Sequence, residues 1–419
     1  MRIFEETESQ VRSYCRGWPA VFVRSKDSHV FDETGKSYLD FFAGAGALNY
    51  GHNHPVLKNA LLEYLTDDHI VHSLDMYTEA KARFLETFRD VVLRPRNLDY
   101  RVQFPGPTGT NAVEAALKIA RKVTGRTTIA RFTNSFHGMT LGSLAVTGNG
   151  RKRHGAGVPL EHTLTLPFDQ YLDGSTPDLL WLRRLIEDSS SGVGLPAAVI
   201  VETVQGEGGI NVASPEWLRA LSLLCSEHGM LLIVDDVQMG CGRTGPFFSF
   251  EESGVVPDVV CLSKSLSGYG LPFAVTLLRP ELDIWEPGEH NGTFRGYNPA
   301  FVTATAALDE FWRDRSLRDA VDANGSFVDG ELRRIADEHA DSGAVVRGRG
   351  LARALAFDDP QIAGAVCRNA FERGLLLETA GSDDEVVKLL PPLTTHQEDL
   401  GAGLSIVADS VRAARKELA

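Results

Sequence analysis

The segment LLIVDDVQ, at residues 231–238, determines the fold that we predict. Its continuous apolar run is typical of a strand buried on both faces of a parallel sheet, and the run ends in the carboxylate Asp235. The segment VVCLSK, at residues 259–264, has the same pattern and ends in Lys264. Because ligands of such sheets bind beyond the carboxyl ends of the strands, we expect Asp235 and Lys264 to lie in one cleft.

The chain around these two segments alternates between short apolar runs and helical patterns. The predicted strands lie at residues 101–104, 127–132, 198–202, 230–235 and 259–263, and the predicted helices between them lie at 110–123 and 215–227. This alternation indicates an α/β fold with a mostly parallel sheet that helices cover on both faces.

The length of 419 residues exceeds what one hydrophobic core usually organises, which favours two domains. We predict a large domain over residues 51–300 and a smaller α+β domain built from residues 1–50 and 301–419. The turn at residues 32–36 predicts an antiparallel hairpin within residues 21–42. The other elements predicted towards the C-terminus are a helix from near Asn298, helices at 317–339, 360–373 and 396–416, and strands near Val345 and Val387.

The composition favours a soluble protein that acts on small molecules. The formal net charge is -14, which argues against a surface for nucleic acid or anionic membranes. No apolar run approaches the roughly 20 residues that cross a bilayer. The five cysteines are scattered without metal or redox spacing, and they predict reduced thiols in the cytoplasm. His52 and His54 have no Cys or carboxylate partner nearby in sequence, so we predict no metal site.

Asp235 and Lys264 together fit the cofactor pyridoxal 5'-phosphate. A carboxylate keeps the pyridine nitrogen protonated, so that the ring withdraws electrons, while a lysine amine holds the aldehyde of the cofactor. The same amine, once the substrate displaces it, can move a proton at the reacting carbon. On residue type and spacing alone, a solvated Lys264 and a helix-capping Asp235 explain the pattern equally well.

Two further segments fit a cofactor site. Gly109 and Thr110 stand between a strand and a helix, where backbone N–H groups and the helix dipole would bind a phosphate. Phe136 and His137 follow another strand, where the aromatic ring would stack on the cofactor. A plain capped helix start and ordinary core packing explain these two segments at least as well.

Over nearly its whole length, the chain resembles the class III aminotransferases of fold type I in the order and spacing of its motifs. These motifs are GHNHP at 51–55, Gly109-Thr110, FHG at 136–138, ETVQGEGG at 202–209, DDVQ at 235–238, GRTG at 242–245, Lys264, and GTF at 292–294. The resemblance implies pyridoxal phosphate as the cofactor, with amino acids and keto acids or aldehydes as substrates. It also implies a homodimer as the minimal active unit.

The resemblance implies a role for each matching residue. Lys264 would hold the aldehyde of the cofactor and transfer the proton, and Asp235 would pair with the ring nitrogen. The other predicted cofactor-binding residues are Gly109 and Thr110 at the phosphate, Phe136 and Val237 on the two ring faces, Gln238 at the phenolic oxygen, His137 in an orienting role, Glu202, and Thr293 at the phosphate of the neighbouring subunit.

One position departs from the pattern of the family. Many members bind the substrate's α-carboxylate with an arginine near the C-terminus, gated by a glutamate that matches Glu207, but Lys388 stands at the position of the arginine. Lysine lacks the planar two-pronged donor geometry of arginine, so carboxylate binding should differ in orientation and strength. The alternative is an exposed Lys388, with another cation as the carboxylate's partner.

More closely, the chain resembles the diaminobutyrate-2-oxoglutarate aminotransferases of ectoine biosynthesis. The matching segments are DFFAGAGALNY at 40–50, QFPGPTGT at 103–110, SKSLSGYG at 263–270, EHNGTFRG at 289–296, and Val387-Lys388. The implied reaction moves an amino group from L-glutamate to the aldehyde carbon of L-aspartate 4-semialdehyde, giving L-2,4-diaminobutyrate and 2-oxoglutarate. The residues that would bind the substrates are Asn49, Tyr50, Glu207 and Lys388, with Glu207 pairing with Lys388 in one half-reaction only.

Other functions stay open at this point. An aminotransferase of the same class for ornithine, 4-aminobutyrate or another terminal amine would keep nearly all of these motifs. A pyridoxal-phosphate racemase, decarboxylase or mutase would share the cofactor residues. A non-enzymatic binding protein would not need Lys264, Asp235 and the phosphate loop together. A dinucleotide oxidoreductase would need the G-x-G-x-x-G spacing that residues 206–209 lack.

Overall fold

The computed structural model describes residues 2–172 and 179–418. The described residues do not include Met1, residues 173–178 and Ala419. One of these gaps falls in each of the three predicted segments, 1–50, 51–300 and 301–419. Within the described ranges, no helix combines the length and the apolar character that a membrane span requires.

The described strands are short. They are β1 (Phe22–Lys26), β2 (His29–Asp32), β3 (Ser37–Asp40), β4 (Arg101–Gln103), β5 (Ile129–Phe132), β6 (Thr163–Leu166), β7 (Ala198–Val201), β8 (Val204–Gln205), β9 (Asn211–Val212), β10 (Leu231–Asp235), β11 (Val259–Leu262), β12 (Val275–Leu278), β13 (Val345–Arg349), β14 (Ala352–Ala356), β15 (Leu375–Leu376), β16 (Glu378–Ala380) and β17 (Val386–Leu389).

The described helices vary from single turns to long amphipathic helices. They are α1 (Arg2–Thr7), α2 (Tyr14–Gly17), α3 (Ala43–Gly46), α4 (Pro55–Thr66), α5 (Glu79–Thr87), α6 (Gly109–Thr124), α7 (Leu141–Ala145), α8 (Gly150–His154), α9 (Leu180–Glu187), α10 (Pro215–Glu227), α11 (Asn298–Phe311), α12 (Ser316–Glu338), α13 (Pro360–Glu372) and α14 (Gln397–Leu418). A π-helix, Phe88–Leu93, extends α5, and 3-10 turns occur at Arg94–Arg96, Glu251–Ser253, Lys264–Ser267, Pro280–Leu282, Thr293–Gly296 and Ala340–Ser342.

The central sheet of the described chain has seven strands in the order β4-β12-β11-β10-β7-β5-β6. Neighbouring strands from β11 to β6 pair in parallel, whereas β12 runs antiparallel to both β11 and β4. The predicted mostly parallel sheet is confirmed, and each of its five predicted strands lies within two residues of the expected bounds. Strands β6 and β12 were not predicted.

Helices cover both faces of this sheet. Successive side chains of each strand point to opposite faces and pack against different helices. Ile233 and Val259 share one buried cluster with Val113 of α6. The next residue along β10, Val234, belongs instead to the cluster that contains Trp217 of α10. The continuous apolar runs of the sequence thus supply both layers of core, as expected for a sheet covered on two sides.

The first strands form an antiparallel meander around the predicted turn. Asp32 stabilises this turn, because its Oδ1 accepts hydrogen bonds from the backbone N–H groups of Thr34 (2.9 Å) and Lys36 (3.0 Å). Strand β3 then pairs in parallel with β15, with Leu39 opposite Leu375. The two ends of the chain therefore share one sheet, while the exact domain boundaries stay a prediction.

The last part of the chain forms a second antiparallel sheet, in the order β13-β14-β17-β16. The predicted helices and strands of this part are present, with bounds shifted by one or two residues. Lys388 on β17 lies opposite Glu378 on β16 and opposite Ala354 on β14. This register brings the predicted substrate-binding lysine beside a carboxylate.

Arg243 links the parts of the chain through its buried guanidinium group. Its Nη1 donates to the carbonyl oxygens of Pro391 (2.5 Å) and Leu351 (3.2 Å), and its Nη2 donates to Oδ1 of Asn49 (2.6 Å). The side chain is fully buried, and burial lowers the pKa of Arg243 to about 9. Segments far apart in sequence thus converge on one cation.

We expect Arg243→Met to lower the free energy of unfolding by about 3 kcal/mol, because buried carbonyl groups would lose their donors. Chemical denaturation followed by circular dichroism measures this change. The control is Arg151→Met, on an exposed position of α8, which should stay within about 0.5 kcal/mol of the wild type. Equal stability of Arg243→Met and the wild type would show that the guanidinium does not hold these segments together.

Candidate active site

A cavity of about 160 Å³ contains most of the predicted site residues. The residues that line it are Gly109, Thr110, Phe136, His137, Gly138, Glu202, Glu207, Asp235, Val237, Gln238, Met239 and Lys264. Larger cavities, of about 610 and 660 Å³, have none of the predicted residues in their lining. The smaller cavity brings together Asp235, at the end of β10, and Lys264, which follows β11, so it is the candidate active site.

Lys264 follows β11 and begins a 3-10 turn in a left-handed backbone conformation, with φ of 50°. Such a conformation is costly for a residue other than glycine and persists only where neighbours enforce it. The next residue, Ser265, holds the backbone in this conformation, because its Oγ donates to the carbonyl oxygen of Gly46 (2.6 Å). Burial lowers the pKa of the Lys264 ammonium, while Glu207 opposes this effect. The neutral, nucleophilic amine is therefore favoured relative to an exposed lysine.

Asp235, at the end of β10, is held by two hydrogen bonds. Its Oδ2 accepts from Nδ1 of His137 at 2.7 Å, and its Oδ1 accepts from the backbone N–H of Val237 at 3.1 Å. The side chain of His137 is fully buried, and its Nε2 has no hydrogen-bond partner in the described part of the chain. These two hydrogen bonds thus fix the carboxylate at the cavity wall.

Glu202 holds the loop that carries Phe136. Its Oε1 accepts from the backbone N–H of Phe136 at 2.8 Å, and its Oε2 accepts from that of Gly206 at 3.2 Å. Burial raises the pKa of Glu202 to about 7, and the charge of Asp235 contributes in the same direction. Near neutral pH this carboxyl is therefore poised between its two protonation states.

The N-terminus of α6 forms the end of the cavity at Gly109 and Thr110. Helix starts carry free N–H groups and a positive dipole end, which favour an anion. A Cβ atom on Gly109 would lie only 2.8 Å from Cγ1 of Val237, so glycine permits the close packing of helix and strand end. Gly138 also lines the cavity and packs against Thr110, because a Cβ on Gly138 would lie 2.5 Å from Oγ1 of Thr110.

Glu207 connects the cavity to Lys388. Its Oε1 accepts from Nζ of Lys388 at 2.7 Å and from Nε2 of Gln238 at 3.3 Å. Lys388 is fully buried, so the alternative of an exposed strand lysine is wrong. Although burial alone would raise it, Lys388 and Lys264 lower the pKa of Glu207 to about 2. The pair is therefore ionised at neutral pH.

Comparisons with known proteins identify the family of this chain. The model of the family described as aminotransferase class-III matches residues 14–411. The protein belongs to the class III aminotransferases.

Individual relatives of this aminotransferase match it almost end to end. It is 64% identical over 412 residues to a diaminobutyrate--2-oxoglutarate transaminase of Streptomyces anulatus, covering 98% of each chain. It is 63% identical to a protein of the same name from Nocardia farcinica, covering 98% of this chain and 93% of the relative. A solved ornithine aminotransferase from Toxoplasma gondii, with partial occupancy of PLP at its active site, is 26% identical with a TM-score of 0.86, covering 99% of this chain and 94% of that one.

Besides Lys388, three predicted site residues of the aminotransferase lie outside the cavity lining. Asn49 is buried, and its side chain bonds to Arg243 and to the carbonyl oxygen of Cys241 (3.0 Å). Tyr50 is buried too, and its hydroxyl accepts from Nε1 of Trp312 at 2.8 Å. Thr293 is exposed, in a 3-10 turn. The structure therefore brings Asn49 and Tyr50 into the core, whereas Thr293 remains on the surface.

Glu378 is a charged residue near the site that sequence reasoning missed. Its Oε1 lies 3.0 Å from Nζ of Lys388, and its side chain is 8% exposed. Burial raises the pKa of Glu378, and Lys388 opposes the rise. The available clue was the pairing of two neighbouring strands, which sets Glu378 opposite Lys388.

We expect Gly138→Ala to lower the free energy of unfolding by about 2 kcal/mol, because the new methyl group would overlap Thr110 at a backbone φ of 129°. Thermal unfolding of the cofactor-free protein measures the effect. Gly330→Ala, within α12, is the control, since no atom lies within 4 Å of its added Cβ. A Gly138→Ala protein as stable as this control would contradict the steric account.

Proposed function

We propose that this aminotransferase transfers the amino group of L-glutamate to the aldehyde carbon of L-aspartate 4-semialdehyde. The products would be L-2,4-diaminobutyrate and 2-oxoglutarate, which can feed ectoine synthesis or another diaminobutyrate-derived product. The main support is the meeting of Lys264 and Asp235 in one cavity, in a chain that is 64% identical to a protein named for this reaction.

The chemistry of the cavity fits pyridoxal phosphate as the cofactor. Two buried polar atoms, Nε2 of His137 and Oε1 of Gln238, have no partner among the described residues, and a polar ligand would supply one. The start of α6 fits a phosphate group. When bound, pyridoxal phosphate supplies an electron-withdrawing ring and an aldehyde that takes up the amino group.

Each residue of the site has a task in this proposal. Lys264 would hold the cofactor's aldehyde, and its amine, once freed, would carry the proton at the substrate's reacting carbon. Asp235, oriented by His137, would keep a proton on the ring nitrogen. Phe136 and Val237 would hold the ring between them and exclude water.

The remaining residues of the site would bind the other groups of the cofactor and of the substrates. Gln238 would contact the phenolic oxygen, Gly109 and Thr110 would hold the phosphate, and Glu202 would keep the loop of Phe136 in position. Glu207 would pair with Lys388 while one substrate reacts and would release it for the other. The predicted substrate contacts of Asn49 and Tyr50 gain no support from their buried positions.

The direct test is a coupled assay of cofactor-loaded protein with L-2,4-diaminobutyrate and 2-oxoglutarate, run beside ornithine and 4-aminobutyrate. We expect glutamate to form from diaminobutyrate only, and Lys264→Ala to abolish transfer while Lys416→Ala, near the end of α14, retains it. Preference for ornithine, the substrate named for the Toxoplasma relative, or for 4-aminobutyrate would overturn the assignment. Without transfer from any donor, the reaction would belong to another class.

We infer that the active unit is a homodimer. Exposed apolar side chains cluster in sequence beside His72, whose Nε2 donates to the carbonyl oxygen of Thr293 at 2.7 Å. We define this apolar patch as Ile70, Val71, Leu74, Met76, Tyr77 and Phe294. Such a patch favours burial against another chain. A second copy covering it would bring Thr293 to the neighbouring cofactor.

We expect Tyr77→Glu to produce a monomer with little transfer activity, because Tyr77 is fully exposed in the single chain and a charge there would oppose burial. Light scattering after size-exclusion chromatography measures the mass against 45.7 kDa for one chain. Leu223→Glu, at an exposed position of α10, is the control and should keep the wild-type mass. A monomeric wild type with full activity would disprove the shared site.

A further inference from the structure

The group formed by Lys388, Glu207 and Glu378 has an unusual charge balance for a carboxylate-binding site. Lys388 is fully enclosed, with one carboxylate oxygen at 2.7 Å and another at 3.0 Å from its Nζ. Two carboxylates around one ammonium leave one net negative charge. An incoming carboxylate meets repulsion here, whereas an ammonium group is attracted.

This group acts on the reacting centre, because Glu207 lines the same cavity as Lys264. The charges of Glu207, Lys388 and Glu378 all influence the pKa of Lys264. If Glu207 moves away, Lys388 still has Glu378 at 3.0 Å. Lys388 therefore does not become a lone cation, and its attraction for a substrate carboxylate stays weak.

We propose that Glu378 is a specificity-determining residue of this aminotransferase. While Glu207 stays paired with Lys388, Glu378 keeps the group net negative, so that the site favours a substrate with a second ammonium, as in diaminobutyrate. When Glu207 moves away, Glu378 still neutralises Lys388, so the carboxylate of a substrate such as glutamate binds beside Lys388 more weakly than it would beside a lone cation. This inference rests on the proposed function, which supplies the two substrates.

The test compares Glu378→Gln with Glu378→Asp, which retains the charge, and with Glu372→Gln, which removes a charge from the exposed end of α13. Steady-state kinetics with each amino donor in turn gives KM for glutamate and for diaminobutyrate. For Glu378→Gln we expect the KM for glutamate to fall and that for diaminobutyrate to rise, each by about tenfold. Glu378→Asp should keep both KM values close to those of the wild type, and Glu372→Gln should leave them unchanged.

Equilibrium binding gives a second readout that needs no turnover. Calorimetry on protein loaded with pyridoxamine 5'-phosphate would measure glutarate, which offers carboxylates only, and 1,3-diaminopropane, which offers ammonium groups only. For Glu378→Gln we expect tighter binding of glutarate and weaker binding of 1,3-diaminopropane. Thermal unfolding checks that the variant is folded.

A rise in KM for both substrates would indicate a merely structural role and would overturn the proposal. No change in either KM would also overturn it, since that is the result for a Glu378 already protonated at the assay pH. A wild type that ignores diaminobutyrate would instead refute the proposed function. Opposite changes in the affinities of the two binding probes would then still report on the charge balance at Lys388.

Discussion

The parallel pairing of β10 with β11 is the constraint on which the site depends. Its register sets Asp235 opposite Cys261, so the residues that follow the two strands emerge at the same edge of the sheet. Both strands are buried on two faces and have little freedom to shift, because a slip of one residue would turn apolar side chains to the wrong layer. The separation of Asp235 and Lys264 is thereby fixed by backbone hydrogen bonds rather than by loops.

Two fully buried cations show two ways of stabilising a charge in this interior. Arg243 spreads its charge over carbonyl dipoles and an amide oxygen, which suits a structural link between segments. Lys388 has carboxylates as partners, and one of them, Glu207, lines the cavity. A cation paired with a group at the cavity wall can respond to a ligand, whereas one bonded to the backbone is locked in place.

Apolar periodicity predicted five strands of the described seven-stranded sheet, because burial on both faces leaves a plain pattern, but it missed β6 and β12. It does not encode strand direction, so it could not indicate that β12 runs antiparallel to β11. Motif order indicated the residues that line the cavity, from Gly109 to Lys264. It did not indicate side-chain direction, so it could not show that Asn49 and Tyr50 point into the core. Glu378 was missed because only strand pairing brings it to Lys388.

The pairing of β3 with β15 has a consequence for synthesis on the ribosome. Lys36, in the turn before β3, donates through its Nζ to the carbonyl oxygen of Glu372, 336 residues further along the chain. The first strands cannot complete their sheet until almost the entire polypeptide has left the exit tunnel. Contacts of such long sequence separation form late, so the meander near the N-terminus waits with an unpaired edge while the central sheet folds.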